Sequence, residues 1–95
     1  MNFEECNLWR ERFKSGKEWL KPFAKVCSDY LETNTSLHIV LEDGNLRDRD
    51  IQWCQGYALG RNDILGNSIA NLLEHLTIRQ RKQLYKEIWK DAICC

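Results

Sequence analysis

Apolar side chains recur at steps of three and four residues through most of this chain. That spacing is the buried stripe of an α-helix and not the alternation of a strand. Phe3, Cys6, Trp9 and Phe13 mark a first helix, and Phe23, Val26, Cys27, Tyr30 and Leu31 a second. Ile51, Cys54 and Ala58 form the inner line of a third, with Trp53 and Tyr57 on its flank. Leu65, Ile69, Leu72, Leu73 and Leu76 make the next helix the most apolar, which places it at the centre of the core. A last helix runs through Leu84, Tyr85, Ile88, Trp89 and Ala92. With 95 residues there is room for one small domain spanning residues 1–95. The expected fold is all-α, with four to five short helices joined by short loops.

The breaks between these stripes carry their own signals. Ser15-Gly16 interrupts the first, and Ser15 with Glu18 has the spacing of a capping box. Pro22 admits two layouts, a helix kinked near Glu18 or one that begins at Pro22. Glu32 to Ser36 reads as a loop. Leu37-His38-Ile39-Val40-Leu41 is the strand-like run, short and with a β-branched pair. Without a partner strand in the chain, it either lies extended against the helices, the favoured reading, or pairs with another chain as a homodimer contact. Glu42-Asp43-Gly44-Asn45 is turn chemistry, with Gly44 free to take positive φ. Asn45 is a candidate cap for the helix that follows and Gly60 a candidate left-handed stop. A further helix is expected to start near Asp63, and Thr77 with Gln80 forms another capping-box pattern.

No arrangement of reactive side chains emerges. Glu42, Asp43, Asp48 and Asp50 cluster, but a calcium-loop frame begun at Asp43 sets Asp48 where glycine is required. Arg47 and Arg49 interleave with the two later aspartates and neutralise them. There is no Cys-x-x-Cys pair, glycine-rich phosphate loop or nucleophile elbow, and His38 and His75 stand far apart. The expectation is a non-enzymatic protein without cofactor or metal. Five cysteines, an odd number, and no secretory signal fit a reducing cytosol. Cys6, Cys27 and Cys54 fall on apolar sides and are expected to be buried, while Cys94 and Cys95 are expected to be a frayed, exposed end. No apolar run approaches the ~18 residues of a membrane span, so no membrane association is expected.

Fourteen basic and fourteen acidic side chains cancel, which disfavours nucleic-acid binding driven by net charge. The charge is nevertheless uneven. Residues 29–50 carry Asp29, Glu32, Glu42, Asp43, Asp48 and Asp50 against Arg47 and Arg49. Residues 77–90 carry Arg79, Arg81, Lys82, Lys86 and Lys90 against Glu87. Four tryptophans and three tyrosines are hard to bury fully in so short a chain, and an exposed one would indicate a protein interface.

The stretch from Leu37 to Tyr85 resembles a family of small, mostly uncharacterised proteins encoded by bacteriophages and prophages. The resemblance rests on Leu37 to Asn45 (LHIVLEDGN), on Asp50-Ile51-Gln52-Trp53-Cys54, on spaced Gly66, Ala70, Leu72 and Leu73, and on Gln80-Arg81 and Leu84-Tyr85. The first 36 residues lie outside it, and residues 37–90 make the family-like helical core. No catalytic residue is carried over. The resemblance implies a phage product acting in the host bacterial cytoplasm, and small phage proteins of this kind often block a host defence machine such as a CRISPR effector or a restriction enzyme. The expected function is therefore binding and inhibition of a host protein. Trp53, Asp43, Asp48 and Asp50 are expected to form one contact patch and Arg79, Arg81 and Lys82 another. The alternative is a small nucleic-acid-binding regulator that uses the basic last helix.

Overall fold

A computed structural model describes residues 1–90. Six helices follow one another: α1 (Phe3–Ser15), α2 (Leu20–Thr33), α3 (His38–Leu41), α4 (Asp48–Gly60), α5 (Ile64–Glu74) and α6 (Ile78–Ile88). No strand occurs among the described residues. The all-α expectation holds, with one more helix than foreseen.

The additional helix is the run read as a strand. Leu37 to Leu41 closes into a single helical turn, with the Leu41 N–H donating to the Leu37 carbonyl at 2.8 Å. Leu37, Val40 and Leu41 are buried. Their 3–4 spacing serves one inward face, and tertiary burial of that face overrides the β preference of Ile39 and Val40. The extended strap and the strand-mediated homodimer contact are both corrected by this turn, which offers no sheet edge.

Pro22 neither kinks α2 nor starts it. The helix begins two residues earlier, with Trp19 at the N-cap and Pro22 in the first turn. The first four N–H groups of a helix have no partner within it, so the proline omits a bond that would not have formed. Glu18 accepts from the Lys21 N–H at 3.2 Å, whereas Ser15 closes α1 ahead of a left-handed Gly16 (φ 77°). The Ser15–Glu18 capping box is therefore not made. Asn45 also gives way, because Arg47 is the N-cap of α4. Gly60 is the last helical residue of α4, and the positive φ falls on Asn62 (56°). Asp63 caps α5 by accepting from Gly66, and Thr77 and Gln80 form the expected capping box on α6.

α5 lies centrally, packed along α4 and touching α1 and α2, while α2 packs on α6 and α3 on α4. Ile69, Ala70, Leu72 and Leu73 are its buried contribution, and buried Leu76 follows just beyond its end. They meet Phe23, Cys27 and Tyr30 of α2, Ile51 and Cys54 of α4, and Leu84 of α6 in one core. α1 docks through aromatic contacts. Phe13 lies edge-on to Phe23 at 5.2 Å and to Trp19 at 5.4 Å, and Trp9 is 5.1 Å from Phe23. Such pairs add about 1 kcal/mol each beyond area burial. Cys6, Cys27 and Cys54 are buried free thiols. Ala92, Cys94 and Cys95 lie outside the described residues.

Candidate functional site

Arg81 shows how α6 and α4 are joined. Its helical position faces the core, and its side chain is 4% exposed. Nε donates to the Leu73 carbonyl at 2.9 Å, and Nη1 donates to the Leu46 carbonyl at 2.9 Å and to Asp48 Oδ1 at 2.7 Å. One guanidinium thus satisfies a carbonyl from α5, a carbonyl of the 42–47 turn and a carboxylate in the first turn of α4. Arg81 cannot belong to an exposed basic patch. Its expected place there is corrected, because an arginine with five donors can be buried where acceptors converge on it.

The two expected patches meet in that ion pair. Asp48 is 72% exposed at its side chain, yet its Oδ1 is held by Arg81. Asp50 is half-buried. Its Oδ2 is sealed from solvent with no hydrogen-bond partner, 3.7 Å from Arg47 Nε. Asp43 is exposed in the turn before α4, beside Gly44, whose φ is 72°. Arg79 and Lys82 are exposed on α6. Acidic side chains therefore gather at the start of α4, where Asp48 staples it to α6, Asp43 and Asp48 are exposed and Asp50 is half-buried.

Of the four tryptophans, Trp53 is the one among the exposed large hydrophobic residues, at 53%. Trp9 and Trp19 are part of the α1–α2 aromatic cluster, and the Trp89 indole N–H donates to the Leu41 carbonyl. Trp53 stacks on Tyr57 one turn later, with ring centroids 5.2 Å apart and planes within 10°. Arg61, a further turn on, sets its guanidinium 5.4 Å from the Tyr57 ring centroid and donates to the Tyr57 hydroxyl at 2.8 Å. These residues share one row of i, i+4 neighbours on the outer face of α4. Gln52, Trp53, Gly56 and Tyr57 border a shallow recess beside the row. Leu59 and Ile64, also exposed, border another at the α4–α5 turn. The sequence reading placed Trp53 and Tyr57 on the flank of α4, but their continuation into Arg61, Leu59 and Ile64 was missed. The i, i+4 spacing of Trp53, Tyr57 and Arg61 was the available signal.

An open cleft of about 450 Å³ lies on the other side of Arg61, between residues 33–36 and the α4–α5 turn. Its one carboxylate is committed to the fold. Tyr30 donates to Asp63 Oδ2 at 2.6 Å, and Gly66 N–H donates to Oδ1 at 2.9 Å. Burial works against the charged form of Asp63, but these bonds, with Ser36 and Arg61, outweigh it and lower its pKa. Burial, and after it the same pairing, raises the pKa of Tyr30. Among the described residues, no group of three or more His, Cys, Asp or Glu side chains is placed to hold a metal ion. No described helix is long and apolar enough to cross a membrane. The chain matches no protein-family model, no curated protein and no solved structure.

Proposed function

We propose that this chain is a non-enzymatic interaction protein that docks a partner protein on the outer face of α4. The observation that carries the reading is the exposed Trp53–Tyr57 stack, an aromatic pair held ready on a helix face that no other described element covers. Trp, Tyr and Arg dominate the binding energy of protein interfaces, and a preformed stack loses little side-chain entropy on docking. The resemblance of Leu37–Tyr85 to phage-encoded proteins directs the reading to a host bacterial protein in the cytoplasm, in the first place a defence complex that the chain inhibits.

The test is plating efficiency. A targeted phage is plated on bacteria that carry a CRISPR or restriction system, with and without the chain. Plating is expected to rise when the chain is present and to fall back with Trp53→Ala/Tyr57→Ala. Plating unchanged in every defence background, or restored equally by the double variant, overturns the reading.

One observation favours a second reading. Arg79, Lys82 and Lys86 are exposed at i, i+3 and i+7 on α6, one stripe suited to a phosphate backbone. Binding to duplex or single-stranded DNA that weakens steeply with salt, and that Arg79→Glu abolishes, would favour this regulator function.

A further inference from the structure

The outer row of α4 carries more than its aromatic pair. Arg49 precedes Trp53 by one turn, so Arg49, Trp53, Tyr57 and Arg61 run as cation, ring, ring, cation on a single ridge about 18 Å long. Arg49 is exposed and has no partner among the described residues. The carboxylates of α4 are engaged elsewhere, Asp48 by Arg81 and Asp50 beside Arg47. Asp63 lies near Arg61, but its oxygens are taken by Tyr30 and Gly66. The ridge thus carries an arginine at each end and no carboxylate on its outer row between them, with the Asp63 carboxylate near the Arg61 end.

Gly56 and Gly60 line the same outer face. Both are helical, and a Cβ at either would meet nothing within 4 Å. Glycine inside a helix costs about 1 kcal/mol relative to alanine, and at Gly56 no contact within the fold requires it, whereas Gly60 ends the helix, where glycine is common. Gly56 thus breaks a local folding rule with no reason inside the fold, as residues at functional sites do. Beside the standing rings, the two glycines leave a furrow in which another backbone can approach closely.

Building on the protein-docking reading, we propose that this ridge seats an acidic helix of the partner protein, with its apolar side chains over Gly56 and Gly60. Its carboxylates meet Arg49 and Arg61, and so stand about 18 Å, or about twelve residues, apart along that helix. Charge also selects among other occupants. A second copy docked antiparallel with Trp53 over Tyr57 sets Arg49 against Arg61 in both halves of the two-fold contact, and like charges repel. A nucleic-acid strand needs free ring faces for its bases. Trp53 covers Tyr57 from the preceding turn and Arg61 from the following one, so the pair leaves one open ring face, that of Trp53, fewer than a run of stacked bases needs.

The experiment replaces Gln52, exposed at the border of the recess, with a photoreactive phenylalanine analogue in the full chain expressed in a bacterial host. After irradiation, the adducts are mapped to a peptide by mass spectrometry. The expected adduct is a helical, net-negative protein segment with carboxylates about twelve residues apart. Arg49→Glu/Arg61→Glu is expected to weaken binding of that protein at least tenfold, and lysines in place of its carboxylates to recover binding. Gly56→Leu is expected to weaken binding at least tenfold while leaving the thermal midpoint unchanged or higher, which separates loss of the furrow from loss of the fold. An adduct to a neutral or basic segment, or binding indifferent to both variants, overturns the acidic-helix inference and leaves the protein-docking reading standing. An adduct to a second copy or to nucleic acid, or no adduct, overturns both.

Discussion

Arg81 and Asp48 form an ion pair whose two halves occupy different surroundings, the guanidinium 4% exposed and the carboxylate 72%, with 2.7 Å between them. The pair is asymmetric in energy as well as in burial. An exposed carboxylate lost from the pair is replaced by water, whereas a guanidinium lost from the interior strands the Leu73 and Leu46 carbonyls.

Arg81→Met is expected to destabilise the fold by about 3 kcal/mol, since two carbonyls and one carboxylate lose a charged donor. Asp48→Asn is expected to cost less than this, since the amide oxygen and water can still accept from Nη1 although the buried guanidinium loses its counter-charge. Arg79→Ala, on the exposed side of the same helix, is expected to change stability by less than about 0.5 kcal/mol. Urea unfolding of the three variants checks the order. Equal effects at positions 79 and 81 would contradict the burial of Arg81.

Two glycines predict opposite outcomes for the same substitution. A Cβ at Gly66 would stand 2.5 Å from Tyr30 Oη and 2.6 Å from Asp63 Oδ2, so Gly66→Ala must displace the Tyr30–Asp63 bond. Its expected cost is about 2 kcal/mol, in the range of core overpacking. Gly56→Ala meets open space and is expected to stabilise by up to about 1 kcal/mol. Thermal unfolding of both variants provides the comparison.

The Tyr30–Asp63 pair gives the fold a pH signature at each end. The Asp63 pKa is lowered in the folded chain, so its contribution is present above the unfolded value of 3.8 and is lost as pH falls through the folded value. The Tyr30 pKa is raised above 10.0, so its contribution is present below that pH and is lost as pH rises beyond it. Tyr30→Phe is expected to flatten both limbs of a plot of unfolding free energy against pH. A variant with unchanged limbs would remove the pair from the account.

Cys27 is sealed in the core, and burial raises its thiol pKa well above the ordinary 9.0. The thiolate is the reactive form, so alkylation of Cys27 is expected to follow global unfolding and not local exposure. Peptide mapping after iodoacetamide treatment across a urea series checks this. Modification of Cys27 well before the unfolding transition would show that the core opens locally.

Trp53→Ala/Tyr57→Ala is expected to change stability by less than about 0.5 kcal/mol, because both rings stand outside the core. Loss of partner affinity is expected to exceed about 2 kcal/mol, as at interface hot spots. Calorimetric unfolding and a binding titration of the double variant measure the two separately.

Much of this architecture can be read along the chain because its signals act within one or two helical turns. The stripes through Cys6 and Phe13, through Ile51, Cys54 and Ala58, and through Ile69, Leu72 and Leu73 required only the period of a helix. Thr77 and Gln80 formed their capping box from neighbours three residues apart. The helical turn at Leu37–Leu41, the depth of Arg81 and the bare outer face of α4 depended on something else. Each is decided by which distant element arrives: Leu46 and Leu73 reach Arg81 across 35 and 8 residues, and no described element arrives over Trp53. Local spacing sets which side of a helix is apolar, but tertiary contact determines which sides are covered, and the side left open is where a partner can bind.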